Sequence, residues 1–231
     1  KKKTMQNLLV PLGTSAHAES TLAYAVAFAS HFKSTIYVID AYPVHSSMAT
    51  LSNVSARIEE DNLKRIRALV AKTPYKKNLI KLVSSERDLI GTIKNLDKTI
   101  GLDLIIVAPL NNEINEEVFL GRIAGSMIKR TQIPVLVAPL EKPFKVPERL
   151  FLAFKTGEVK AMSTLTPLIH IQDKFSALLK LLLVKVPGFA NRTHQLSDAL
   201  MQRAEQLLYS ENATVYQGVL EHFQANQPDL L

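Results

Sequence analysis

The sequence predicts an α/β protein built from two doubly wound parallel-sheet domains, the second of them incomplete at its C-terminal end. Short continuous apolar runs, typical of strands buried on both faces, alternate with longer segments of helical periodicity. The same order of elements starts again after a stretch that holds Pro143 and Pro147 among charged residues. We therefore predict a first domain at residues 1–140, a linker at 141–148 and a partial second domain at 149–231.

The first domain is predicted to contain five strands separated by four helices. The predicted strands lie at 7–12, 35–39, 79–83, 104–108 and 134–138, and the predicted helices at 18–32, 51–71, 86–100 and 120–131. Within the first helix Leu22, Val26 and Ala29 fall at i, i+4 and i+7, so one face can pack on a sheet. Strands joined by helices pair in parallel through right-handed crossovers, which gives a doubly wound unit.

The second domain repeats part of this pattern. Ser163-Thr164-Leu165 stands ten residues before Phe175, as Ser20-Thr21-Leu22 stands ten residues before Phe32. The predicted strands lie at 150–154, 178–184 and 213–216, with a partial helix at 194–208. Pro167 is expected to kink the first helix of this domain or to shift its start. The final Asp229-Leu230-Leu231 resembles the opening of strand four, so we expect the sequence to stop before the second domain does.

Composition limits the kind of protein further. No run reaches the ~18 uninterrupted apolar residues of a membrane span, and there is no cysteine, which excludes disulfides and thiolate chemistry. Lys1, Lys2 and Lys3 are not followed by an apolar run, so they do not form a secretion signal. The net charge of +7 comes from bases interspersed with acids, without tryptophan or aromatic interleaving. These features predict no nucleic-acid partner and no membrane partner.

Several ordered segments of the first domain resemble the universal stress protein family. They are Val10-Pro11-Leu12-Gly13-Thr14-Ser15, then Tyr24-Ala25-Val26-Ala27, then Asp103-Leu104-Ile105-Ile106-Val107, then Ile133-Pro134-Val135-Leu136-Val137. The resemblance covers about residues 4–140 and, more loosely, 148–231. It implies Rossmann-like domains of the adenine nucleotide alpha hydrolase type in a cytoplasmic, bacterial-type stress-response protein. It also implies that the two domains pair as an internal pseudo-dimer.

In its ATP-binding members this family carries a phosphate loop after strand four: Gly, two residues, Gly, nine residues, then Gly-Ser or Gly-Thr. The resemblance assigns these positions to Ala108, Asn111, Gly121 and Arg122, and assigns the acid at the end of strand one to Gly13. Only Gly121 keeps the family residue, and glycines matter there because they let the backbone approach phosphate. We therefore expect no cofactor in the first domain, whose nucleotide cleft is vestigial.

Pro109 also removes a backbone donor from this loop. Three acidic residues in the same loop would face a triphosphate with like charge: Glu113, Glu116 and Glu117. The leading hypothesis is a non-enzymatic protein that binds a protein partner, a second copy or a small molecule.

Two alternatives stay open. In one, the second domain keeps an intact phosphate loop, binds ATP and supports weak ATPase activity; a Gly-x-x-Gly and a Gly-Ser pair beyond Leu231 would identify it. In the other, the chain is an enzyme of the same nucleotide-binding fold class, such as an adenylate-forming ligase. That enzyme would need a phosphate-gripping motif near strand one, where the chain offers Gly13-Thr14-Ser15.

Other candidate sites receive plainer interpretations. The histidines lack the paired helical spacing of a metal site, and His17 stands two residues after Ser15 without an evident orienting acid. Gly125-Ser126 is interpreted as small residues that pack a helix against the sheet. Asp40 is interpreted as a solvent-facing aspartate at the end of strand two, and strand five as an exposed edge open to pairing.

Overall fold

The computed structural model describes most of the chain and divides it into two compact units, 1–144 and 145–231. The described residues are 5–12, 17–41, 52–76, 79–83, 88–109, 121–156, 159, 162–188 and 196–231; for 52–59, 121–123 and 162–163 the description is of the backbone. The unit boundary falls within the stretch predicted as a linker. Each unit contains its own parallel sheet.

Unit 1 has a five-stranded sheet in the order β3-β2-β1-β4-β5, with every neighbouring pair parallel. Its strands are β1 Asn7–Leu12, β2 Thr35–Asp40, β3 Ile80–Val83, β4 Leu104–Val107 and β5 Val135–Val137. The first strand pairs with the second along its whole length, from Asn7 opposite Thr35 to Leu12 opposite Asp40. The predicted doubly wound fold is confirmed, and β5 forms one edge of the sheet.

Four helices of unit 1 connect these strands. They are α1 Ala18–Phe32, α2 Ser52–Lys72, α3 Leu89–Ile100 and α4 Gly121–Arg130. Each agrees with its prediction to within three residues. Because right-handed crossovers run outward from β1 in one direction and toward β4 and β5 in the other, α1 and α2 cover one face and α3 and α4 cover the opposite face.

The core beneath α3 and α4 is formed by alternate residues of the central strands. Leu9, Ile105 and Val107 are buried there against Ile93 of α3 and Met127 of α4. A side chain that points to this face is followed by one that points to the other, as the period of a strand requires. This alternation explains why the strands are apolar throughout instead of on one side only.

The stretch after β5 packs back on α1. The Phe144 ring meets the rings of Tyr24 and Phe28 edge to face, with centroids 5.4 Å and 5.6 Å apart. Burial raises the pKa of the Tyr24 hydroxyl above its ordinary value. The end of unit 1 is therefore anchored by an aromatic cluster that the composition of this stretch did not suggest.

Unit 2 has a three-stranded parallel sheet in the order β6-β7-β8. Its strands are β6 Arg149–Phe154, β7 Leu178–Lys185 and β8 Gln206–Glu211, and its helices are α5 Thr166–Phe175, α6 Asp198–Met201 and α7 Val215–Asn226. Pro167 lies in the first turn of α5, behind a short 3₁₀ helix, so the predicted shift of the helix start is confirmed.

Two predictions for unit 2 are wrong. The predicted helix at 194–208 corresponds to the single turn of α6, and Leu207 and Leu208 belong to β8. The predicted strand at 213–216 corresponds to the start of α7, where the Thr214 hydroxyl caps the helix by accepting from the Gln217 N–H at 3.2 Å. The error arose because an apolar pair, Leu207-Leu208, suits a helix face and a buried strand equally well.

Among the helices that the structure describes, none combines the length and the hydropathy needed to cross a membrane.

Candidate functional site

The strand order of unit 1 places the candidate site between β1 and β4. The crossover from β1 leads to one side of the sheet and that from β4 to the other, so the two connections diverge. In open α/β sheets a cleft forms at this switch point, outside the carboxyl ends of the strands. We call the space beyond Leu12 and Val107, the last residues of β1 and β4, the β1–β4 cleft.

The structure places three of the five predicted cleft residues directly after β4 or at the start of α4. Ala108 follows β4 directly and is partly buried, and Gly121 and Arg122 are the first two residues of α4. Gly13 and Asn111 lie outside the described residues. Helix α4 therefore begins at the one family glycine that the sequence retains, where a helix N-terminus would meet a phosphate.

The described start of the connection offers little to a phosphate. Ala108 carries a methyl group where the family pattern has glycine, and the next residue, Pro109, has no N–H to donate. The carbonyl of Val107 already accepts from the Ala138 N–H at 2.8 Å, which ties the end of β4 to the end of β5. The acidic loop residues Glu113, Glu116 and Glu117 lie outside the described residues.

Asp40, at the end of β2, is buried, with only 8% of its surface exposed. The interpretation of a solvent-facing aspartate is therefore wrong. The residue lies opposite Leu12 in the pairing of β1 with β2, and the next N–H, of Ala41, donates to the Leu12 carbonyl at 3.0 Å. The sequence predicted Asp40 at the end of the strand, but it could not show that other parts of the same molecule cover this side chain.

Asn62, on α2, is a buried polar residue that the sequence analysis did not single out. Only 8% of it is exposed, and its side-chain N–H₂ finds no acceptor among the described residues. It lies one helical turn before the buried Ile66, so it interrupts an apolar face. An asparagine on an otherwise apolar helix face could have been noticed in the sequence. It is unusual there because burying an amide costs free energy unless the amide is hydrogen-bonded.

His17, at the N-terminus of α1, does have an acid beside it. Its Nδ1 lies 3.5 Å from Oε1 of Glu141, and its side chain is only 14% exposed. The expectation of no orienting acid is therefore wrong. The spacing of residues near His17 could not reveal Glu141, because Glu141 follows β5 and lies far from His17 in sequence. Ser15, the other residue of that pair, lies outside the described residues.

Glycine at position 125 does not serve the packing role predicted for it. A Cβ at Gly125 would meet no atom within 4 Å. A close approach of α4 to the sheet would leave no such room, so the packing interpretation is wrong at this residue.

A separate cavity of about 400 Å³ lies between α1 and the end of α2. Leu22, Val26 and Leu69 supply its apolar part, and Lys72 and Tyr75 lie at one end. The Tyr75 hydroxyl donates to the Ser34 carbonyl at 2.7 Å, so that donor is already used. No cleft residue lines this cavity. Within the described part of the chain no cluster of His, Asp or Glu could hold a metal ion.

Comparisons with known proteins agree with the fold of the chain. The sequence model for the universal stress protein family matches residues 4–139. No curated protein matches the chain in sequence. Among solved structures, a universal stress protein from Archaeoglobus fulgidus DSM 4304 superimposes with a TM-score of 0.67 at 12% identity, covering 97% of this chain and 85% of that chain.

A functionally unknown protein from Pseudomonas aeruginosa PAO1 superimposes with a TM-score of 0.59 at 14% identity. That match covers 98% of this chain and 80% of the other. At these identities both likenesses describe the fold. Since the family model spans more than half of the sequence, the chain belongs to the universal stress protein family.

Proposed function

We propose that this universal stress protein acts without catalysis, by binding a partner or a small molecule at the β1–β4 cleft, with little or no ATP in unit 1. One observation carries the proposal: α4 begins at Gly121, the retained family glycine, while β4 is followed by Ala108 and Pro109. The helix start supports the register of the degenerate loop. A phosphate would then meet a methyl group and a proline where the family pattern offers glycine.

The alternative is a nucleotide-binding module whose working site belongs to unit 2. It is favoured by the way Asp229 repeats the hydrogen bonds of Asp103, which supports a fourth strand starting at Leu230. ATP and a weak ATPase activity belong to this alternative alone.

For assembly, we propose a cytoplasmic protein whose two units pair as an internal pseudo-dimer or whose copies pair as a homodimer. The supporting observation is β5, which forms an edge of the unit 1 sheet and so offers unpaired backbone groups. Sedimentation of the full chain over a range of concentrations tests the homodimer. A monomer at every concentration would leave the internal arrangement.

Restoring the phosphate loop tests the proposed function. The variant carries Gly13→Asp, Ala108→Gly, Asn111→Gly and Arg122→Ser, and Mg-ATP binding is measured by calorimetry. We expect no heat from the unmodified chain and measurable binding by the restored chain, about tenfold tighter or more. Lys142→Ser is the matched control for the lost positive charge of Arg122, because Lys142 is exposed and lies outside the loop.

Ala108→Trp separates the proposal from its alternative. Mg-ATP binding by the unmodified chain that Ala108→Trp abolishes would contradict the proposal, since ATP would then occupy unit 1. Binding that survives Ala108→Trp would support a site elsewhere in the chain.

A further inference from the structure

The edge of the unit 1 sheet opposite the β1–β4 cleft collects positive charge. All five strands are parallel, so all four helices end at the edge where the strands begin. The cations at these helix ends are all exposed, and we call them the basic edge: Lys33, Lys72, Lys76, Lys98, Lys129 and Arg130. They are far apart in sequence, and the fold gathers them.

Hydrogen bonds fix the ends of three helices at this edge. Ser34, directly after Lys33, donates through its hydroxyl to the Met5 carbonyl at 2.8 Å, just before β1. The Tyr75 hydroxyl donates to the Ser34 carbonyl, which brings the end of α2 alongside. Asn7 Nδ2, at the start of β1, donates to the carbonyl of Ile100 at 2.9 Å, which fixes the end of α3.

The balance of charge at this edge is one-sided. Asp97 and Asp103 are the acids there, and each carboxylate accepts from backbone N–H groups, of Leu102 in one case and of Gln6 and Asn7 in the other. No ion pair involves a basic-edge residue within the described part of the chain. Among the described residues, the opposite edge carries four acids together with the exposed Lys142: Glu19, Asp40, Asp88 and Glu141.

Helix dipoles account for part of this pattern, since cations commonly stand in the last turn of a helix. Four helix ends supply on the order of two negative charges, fewer than the cations present. Lys33 is also held with φ 58°, a left-handed conformation in which glycine is favoured.

We propose that the basic edge binds the phosphate backbone of a nucleic-acid duplex without reading its sequence. Five strands at ordinary spacing span about 19 Å, along which a duplex presents one charge per about 1.7 Å. Two aromatic residues stand next to basic-edge cations, and both are partly buried: Phe32 packs on Phe28, and the Tyr75 hydroxyl donates to the Ser34 carbonyl. They therefore offer little free ring surface for stacking on single-stranded bases. Ile128 is the exposed large apolar residue beside Lys129, too little to anchor the edge in a lipid surface.

Along the sequence, acids separate the basic residues, and that pattern predicted no nucleic-acid partner. In the fold, basic residues that are distant in sequence lie at one edge of the sheet, so the sequence pattern does not argue against this partner. This inference does not depend on what the β1–β4 cleft binds.

The test is fluorescence anisotropy of the full chain with a labelled DNA duplex of about 20 base pairs, over a series of salt concentrations. We expect binding at low salt, with log K falling against log salt at a slope of about −3 or steeper. The test variant combines Lys33→Gly, Lys98→Gln and Lys129→Gln. It should bind at least about tenfold more weakly and show a shallower slope, while Lys33→Gly relieves backbone strain at the end of α1.

The control variant removes the same charge elsewhere, at exposed positions outside the basic edge: Lys94→Gln, Lys142→Gln and Lys174→Gln. Equal weakening by both variants would overturn the proposal, because net charge alone would then be responsible. No binding at low salt would also overturn it. Vesicles of phosphatidylcholine with about one-third phosphatidylserine form the last arm, and vesicle binding without duplex binding would overturn it too.

Discussion

The amino edges of the two sheets are built with the same hydrogen bonds. In unit 1 the Asp103 carboxylate accepts from the N–H groups of Gln6 and Asn7 at 2.7 Å and 3.0 Å. In unit 2 the Asp229 carboxylate accepts from Glu148 and Arg149 at 3.0 Å and 2.9 Å. Leu230 then forms a parallel bridge with Leu150, as Leu104 pairs with Leu8.

The ends of the first helices also match. Lys33 and Ser176 both take the left-handed conformation, with φ 58° and 53°. The next N–H donates back into the helix at 3.2 Å in each unit, to the carbonyl of Ala29 or of Gln172.

The two units differ in their helices. In α3 of unit 1, Ile90 is buried in the core beneath α4. In α7 of unit 2, Leu220 and Phe223 are 50% and 41% exposed, and the helix between β7 and β8 is a single turn. Hydrogen bonds between backbone and aspartate therefore accompany the same strand order in both units, while the helices set how much core each unit has.

The largest expected effect is a difference in stability between truncations in the hydrophobic cores of the two units. Ile93 lies ten residues before Asp103, and Val219 lies ten residues before Asp229. Ile93→Ala should cost about 3 kcal/mol of unfolding free energy, because the side chain is fully buried. Val219→Ala should cost about 1 kcal/mol, because Val219 is only partly buried. Both losses of unfolding free energy are measured by urea unfolding, monitored through the amide NMR resonances of each unit. Equal losses would contradict the expected difference between the two cores.

The next prediction concerns the aspartates. Asp103→Ala should destabilise unit 1 by about 2 kcal/mol, because two backbone N–H groups lose a charged acceptor. Asp229→Ala should cost about 1 kcal/mol, because its side chain is 38% exposed and water can replace it. Asp103→Asn and Asp229→Asn keep one acceptor oxygen, so each should lose about half as much unfolding free energy as the matching alanine variant. Thermal unfolding measures the stability of all four variants. If Asp103→Ala leaves the unfolding free energy unchanged, the hydrogen bonds to these aspartates do not stabilise the sheet edges.

The central strands of unit 1, β1, β2 and β4, were predictable because each holds a continuous apolar run, whereas the edge strand β3 also carries Lys81. Pro167 was equally informative, since proline fits only the first turn of a helix. The third strand of unit 2 was missed because Leu207-Leu208 suits two periodicities. At the site, the loop register rests on Asp103 and Pro134 on either side and stays a prediction, whereas the burial of Asp40 and the contact of His17 with Glu141 depend on residues that are distant in sequence.

A pair of glycine substitutions should have opposite effects. Alanine at Gly218, in α7, would place its Cβ 2.7 Å from Val184 Cγ1, so Gly218→Ala should destabilise unit 2 by about 1 to 2 kcal/mol. Gly125→Ala, in α4, meets no neighbouring atom and should stabilise unit 1 by about 0.5 kcal/mol. Differential scanning calorimetry gives both signs. A stabilising Gly218→Ala would mean that α7 can move away from β7.

The smallest effect is a pH dependence confined to unit 2. Hydrogen bonds donated by the Asn212 amide, and then by the Ser210 hydroxyl, lower the pKa of Glu221 below its ordinary value. A lowered folded-state pKa contributes stability above the unfolded pKa of about 4.3, and that contribution is lost as the pH falls through the folded value. Carbon NMR titration of Glu221 should show the lowered pKa, and Asn212→Ala should raise it. An unchanged pKa in Asn212→Ala would refute the assigned cause.

Unit 1 keeps the fold of its family, and we propose that it has lost the usual ATP site. The most direct measurement is the nucleotide content of the purified full chain, together with calorimetric titration of the unmodified protein with Mg-ATP. We predict neither co-purified nucleotide nor heat of binding. Stoichiometric nucleotide that Ala108→Trp displaces would contradict the claim, because it would show ATP bound against the residue that follows β4.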